Sequence, residues 1–130
     1  MSTSSQTLRQ QGAPVLLLAS LYQERPDLPA AEVRVSRIYT GRLELALHGD
    51  LLAFEAWRTA LGLSEPRVHD FTGLMWVSVE ERVDDVPVKL VGYSSRSAVA
   101  EYAQVHGIPL PGELAEQRHL VDPLDGRWAP

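Results

Sequence analysis

The chain has 130 residues, 45% of them apolar, with 17 Asp and Glu against 12 Lys and Arg and no cysteine. That length suits one domain with a core of its own, burying about 65–70% of the surface its unfolded form exposes. A net charge of -5 opposes nucleic acid and anionic membranes as partners, because phosphate binding rests on clustered Lys and Arg, and the lack of cysteine excludes disulfide scaffolds, thiol nucleophiles, iron–sulfur clusters and thiolate zinc sites.

Residues 1–13, rich in Ser, Thr and Gln, predict a disordered N-terminal tail with little to bury. Pro14 opens a predicted helix over 14–24, where Val15, Leu18 and Tyr22 recur at helical spacing. The apolar run from Val15 to Leu18 is too short, with only Arg9 before it, for a secretory signal or a membrane span. Without such a signal, and with no cysteine, the expected compartment is the cytoplasm. Pro26 and Pro29 end the helix and impose an extended link over 25–31.

From Glu32 the period changes to two. Val33 and Val35 alternate with polar residues, Ile38 falls out of phase, and Leu43, Leu45 and Leu47 alternate cleanly after Thr40-Gly41, which predicts an antiparallel hairpin with one face buried. Asp50 caps a predicted helix over 51–61 whose stripe is Phe54, Trp57 and Leu61, and Gly62 marks its left-handed end. Residues 68–82 read as a third strand interrupted near Thr72-Gly73, apolar on both parities from Leu74 to Val79 and therefore expected to be a central strand or one covered on both faces. Phe54, Trp57 and Trp76 are expected in the core. Asp84-Asp85 turns the chain into a fourth strand over 86–93, whose Pro87 suits an edge or a bulge. Ser94, Ser95 and Ser97 offer caps for a helix over 98–106, ended by Gly107.

The order α-ββ-α-ββ-α predicts an α+β fold: a four-stranded antiparallel sheet from two hairpins, with helices packed on one face. The single domain spans 14–107. Residues 108–130 form a proline-rich tail with a short helix over 112–119, and Leu120, Leu124 and Trp128 are apolar enough to pack on the domain or on a partner.

Candidate chemistry is sparse. His48 with Asp50 and His69 with Asp70 sit at two strand junctions, and at one end of a sheet they would form a metal site or an acid–base pair. The competing assignment makes the aspartates cap and turn residues and the histidines solvated. Glu80, Glu81, Asp84 and Asp85 put four acids around a hairpin tip, a cation site or a solvated turn. His106 and His119 suit helix C-termini. No G-x-S-x-G, Walker A or G-x-G-x-x-G pattern occurs. Tyr39 between Arg37 and Arg42 joins the two residue types most enriched at binding hot spots, which makes these three the expected partner-contact patch.

The stretch Val35-Ser36-Arg37-Ile38-Tyr39-Thr40-Gly41-Arg42-Leu43-Glu44-Leu45, followed by Asp50-Leu51-Leu52-Ala53-Phe54-Glu55-Ala56-Trp57-Arg58, resembles small uncharacterised acidic proteins of GC-rich actinobacteria. The resemblance implies a cytoplasmic bacterial protein and transfers no site.

Two functions follow from the sequence. The first is a non-enzymatic interaction or regulatory module that acts through protein contacts as a homodimer, with no cofactor and no membrane partner. The second is a small-molecule or metal-binding protein, or a minor enzyme, with a pocket between sheet and helices built on His48 and His69. Nucleic-acid binding through Arg34, Arg37 and Arg42 ranks last, because the total charge opposes it.

Overall fold

A computed structural model describes residues 6–111; the expected helix over 112–119 and the apolar positions Leu120, Leu124 and Trp128 lie outside them. The fold is α+β, with three α-helices and a five-stranded mixed sheet in the order β1-β2-β5-β4-β3. Its elements are α1 (Gly12–Glu24), β1 (Glu32–Arg34), β2 (Leu43–His48), α2 (Leu51–Leu61), β3 (Arg67–Phe71), β4 (Leu74–Val83), β5 (Val86–Tyr93) and α3 (Arg96–His106). No helix among the described residues is long and apolar enough to cross a membrane.

The expected four antiparallel strands are corrected in two respects. Thr72 and Gly73 both take left-handed backbone, at φ 49 and φ 86, so the interrupted strand is a hairpin in which Phe71 faces Leu74 across a two-residue turn. The apolar run that follows the turn hid it, because neither strand alternates well enough to mark a break. The second correction is the seam: β2 and β5 run parallel, pairing Leu43 with Val88 through His48 with Tyr93. Helix α2 and the β3–β4 hairpin supply the long connection that parallel neighbours require.

Pro87 therefore lies in a central strand rather than an edge strand. The β2 ladder starts at Val88, one residue further on, so the missing N–H falls where β5 has not yet gained its parallel neighbour. The Asp84-Asp85 turn closes as expected, with both residues left-handed at φ 49 and φ 70 and Arg82 donating to the Asp85 carbonyl at 2.8 Å.

One face of the sheet carries the core. Leu43, Leu45 and Leu47 of β2, Val86, Val88 and Leu90 of β5, and Met75, Val77 and Val79 of β4 are all buried there against Leu17, Phe54, Trp57, Val99 and Tyr102 of the helices. The capping signals explain where the helices sit. Asp50 accepts from the Leu52 N–H at 2.9 Å and Ser95 from the Ala98 N–H at 3.1 Å, while Gly62 and Gly107 end their helices in left-handed conformation. Helix α1 opens two residues before Pro14, behind a 3-10 turn over Leu8–Gln11.

A polar clasp joins α2 to α3. Glu55 accepts from the Tyr102 hydroxyl at 2.6 Å and pairs with Arg58, whose guanidinium also donates to the Leu63 carbonyl at 3.0 Å beyond the end of α2. The hydrogen bond from Arg58 holds the Glu55 carboxyl below its usual range, and burial with the Glu55 hydrogen bond raises the Tyr102 hydroxyl. Tyr102 is buried and its hydroxyl is spent on Glu55, so this cluster is a structural joint.

Candidate functional site

No described element covers the second face of the sheet. Pairing register places the residues on it in rows that cross the strands. One row runs from His48 on β2 to Tyr93 on β5, Trp76 on β4 and His69 on β3. His48 and Tyr93 stack at 5.0 Å and 18°, His69 and Trp76 at 5.2 Å and 17°, and Tyr93 and Trp76 meet at 6.4 Å. The two stacked separations lie close to the distance between neighbouring strands, so each histidine stands side by side with its aromatic partner, while Tyr93 and Trp76 tilt 37° to each other between the pairs. Within each stacked pair the flat faces turn toward one another. Trp76 thus belongs to this face, half-exposed, and not to the core where the sequence reading put it.

The next row along the strands is small: Glu32, Ala46, Val91, Ser78 and Arg67. Ala46 and Val91 floor a shallow cavity of about 150 Å³ flanked by His48 and Tyr93 on one side and by Arg34 and Glu44 on the other. The third row is charged, with Arg34, Glu44, Lys89 and Glu80 directly paired from β1 to β4. Glu44 lies 3.6 Å from Arg34, 3.9 Å from Arg42 and 3.8 Å from Lys89, and Arg42 is 3.2 Å from Glu80. Beyond the ring row, Phe71 and Leu74 at the β3–β4 tip are 68% and 57% exposed. Arg96 braces that tip by holding Asp70 with both terminal nitrogens, at 3.1 and 3.2 Å, and donating to the Gly73 carbonyl.

The residues singled out in the sequence are distributed unevenly over this geometry. His48 and His69 share the row, yet Tyr93 and Trp76 stand between them. His48 is hydrogen-bonded to Glu32 at 3.0 Å and His69 to Ser78 at 2.7 Å. Asp50 is a helix cap and Asp70 is held by Arg96. The expected pocket between sheet and helices is corrected accordingly, since both histidines lie on the face away from the helices. Among the described residues, no group of three or more His, Asp or Glu is placed to hold a metal ion. Arg42 stacks over the Tyr39 ring at 4.9 Å, in a loop held by the Ser36 hydroxyl, which accepts from the Ile38 and Tyr39 amides at 2.9 and 3.1 Å. Arg37 is exposed in the same loop.

Comparison with protein-family models, curated proteins and solved structures gave no match, so the face itself carries the functional argument.

The row also fixes an acid limb of stability. Burial lowers the His69 pKa, with Lys89 and Arg67 adding to the effect, so the folded state holds this imidazole neutral where an unfolded chain would take up the proton. Stability is then fully present above the ordinary histidine range and is lost as the pH falls from there toward the depressed folded value. Glu55, also lowered, adds a second loss below the usual carboxylate range. Urea midpoints measured between pH 7.5 and 5.5 should fall for the wild-type protein and fall less for His69→Gln; equal slopes would remove His69 from this account.

Proposed function

We propose that this protein is a non-enzymatic interaction module that works through protein contacts on the open face of its sheet. The observation that carries the reading is the partly exposed ring row, continuous with the braced and exposed Phe71–Leu74 tip beyond it, on a face that no described element covers. Continuous exposed apolar surface with a charged border is the usual mark of a protein-binding face. The groups best suited to chemistry are engaged structurally: His48 with Glu32, His69 with Ser78, Asp50 at its helix, Asp70 with Arg96.

Ligand type is narrowed by the geometry. In the two stacked pairs, the faces turned to one another are withdrawn from bases or sugars, which bind by lying on exposed aromatic faces. The cavity at the β2–β5 seam, about 150 Å³, has room for one side chain and is smaller than the roughly 300–1,000 Å³ of metabolite pockets. An open groove of about 460 Å³ lies at the β3–β4 end of the face beside Arg67, His69, Ser78 and Glu80. A photo-crosslinking residue placed at Leu74, on the open face, should form polypeptide adducts on irradiation in cells, and one at Val105, 72% exposed on α3, should not. Absence of any adduct from Leu74 would defeat the reading.

A further inference from the structure

We infer that the partner is a second copy of this chain, seated face to face on the open sheet about a two-fold axis that runs along the β2–β5 seam. This rests on the reading of the open face as a protein-binding surface and names its occupant. The charged row decides it. From β1 to β4 the row reads Arg34, Glu44, Lys89, Glu80, alternating in sign with the seam at its centre. Rotation about an axis along the strands keeps each residue at its height and exchanges left for right. The reversed row is opposite in sign at every position: Arg34 meets the partner's Glu80, and Glu44 meets the partner's Lys89. A heterologous partner needs no such symmetry, whereas an isologous one requires it.

The same operation suits the other rows. Ala46 falls opposite the partner's Val91, which places the smallest apolar residues on the axis and lets the two sheets approach closely. Glu32 falls opposite the partner's Ser78, an acceptor facing a donor. His48 and Tyr93 meet the partner's Tyr93 and His48, rim to rim. Two sheets packed face to face align their strands within about 30°, so the heights stay matched near the seam. About this axis four strands overlap and β3 overhangs, so strands about 4.8 Å apart with six residues at about 3.3 Å each give a flat footprint of roughly 380 Å². Ring relief and Leu74 add to it, and the interface stays below the ~800 Å² per partner of a standard one, as suits a dimer that forms at tens of micromolar.

Net charge points the same way. The chain carries -5, so two copies repel over most of their surface, yet this face sets Arg34, Arg42, Arg67 and Lys89 against Glu32, Glu44 and Glu80. On such a mixed-charge surface like copies meet without that cost. Desolvating these pairs offsets much of their attraction, so the row fixes register and orientation while the apolar rows hold the dimer.

The test uses the full chain in size-exclusion chromatography with light scattering at tens of micromolar. Wild type should run at twice the 14.4 kDa chain mass. Arg34→Glu alone and Glu80→Arg alone, both at exposed positions, place like charges opposite one another and should weaken association at least tenfold. Mixing the two single variants makes every facing pair opposite again and should restore the dimer, as should the double variant Arg34→Glu/Glu80→Arg. Recovery on mixing also shows that each single variant is folded. Leu16→Glu, on the exposed side of α1, should leave the dimer intact.

A monomeric wild type overturns the proposal, as do single variants that stay dimeric, a mixture that fails to recover, or a dimer broken by Leu16→Glu. The Leu74 crosslink separates this failure from that of the broader reading. A monomer that still yields adducts with a different polypeptide defeats self-association alone, whereas an adduct within one chain to residues 112–130 defeats both readings.

Discussion

Phe54→Ala should cost about 3–5 kcal/mol of unfolding free energy, the range for truncating a fully buried phenylalanine. Phe54 is 0% exposed at the meeting point of α2, α3 and β5. Its ring meets Tyr102 edge to face, with centroids 6.0 Å apart at 86°, and lies over Gly92 of β5. Removing it leaves a void among Leu51, Gly92 and Tyr102, which caps and clasp hold too firmly to collapse. Domains of this size are stable by roughly 5–15 kcal/mol, so the variant should sit near its unfolding transition at ambient temperature. The measurement is urea unfolding at matched protein concentration, because self-association would add its own concentration dependence. A loss under about 1 kcal/mol would mean that Phe54 does not link the helices to the sheet.

Gly92→Ala should be the more informative variant, with a loss of about 1–3 kcal/mol from overpacking. A Cβ at position 92 would lie 2.9 Å from Phe54 Cδ1 and 3.0 Å from Leu51 Cδ2. Both are buried side chains of α2, so the methyl group displaces the helix or forces Phe54 from its rotamer. Helix α2 reaches β5 this closely only because Gly92 presents bare backbone. The cost belongs to a contact and should therefore fail to add. In a double-mutant cycle with Phe54→Leu, which opens space beside residue 92, the combined loss should be smaller than the sum by at least 0.5 kcal/mol, the scale of coupling between touching residues. Strict additivity would show that the methyl group clashes with something other than Phe54.

Much of the local structure was legible in the sequence. Asp50, Gly62, Ser95 and Gly107 delimit α2 and α3 because caps satisfy backbone groups within a few residues of themselves. Leu43, Leu45 and Leu47 announce the buried face of β2 by alternation alone. The reading faltered where local signals conflict. Leu74, Met75, Trp76 and Val77 are apolar in succession, so the Thr72-Gly73 turn looked like a flaw in one strand, and Trp76 looked interior. A run of that kind is equally what a strand shows when its second face carries a binding surface. That signal was present and admitted two explanations, a covered face and a functional one.

The site divides the same way. Tyr39 and Arg42 are close in sequence and meet in space. His48 and His69 drew attention by their aspartates, whereas their structural neighbours are Tyr93 and Trp76. The alternating charges of Arg34, Glu44, Lys89 and Glu80 have no sequence signature, since they become a row only when β1, β2, β5 and β4 lie side by side in register.

By itself the sequence determined an acidic α+β chain, both ends of α2, the C-terminal ends of α1 and α3 and the inward face of β2, because charge, capping and hydrophobic period act over a few residues. Tertiary structure decided the parallel seam, the fifth strand and the pattern on the open face. Strand order and register are set by long-range packing of alternate faces against the helices, and that packing alone brings distant residues to the same height on neighbouring strands.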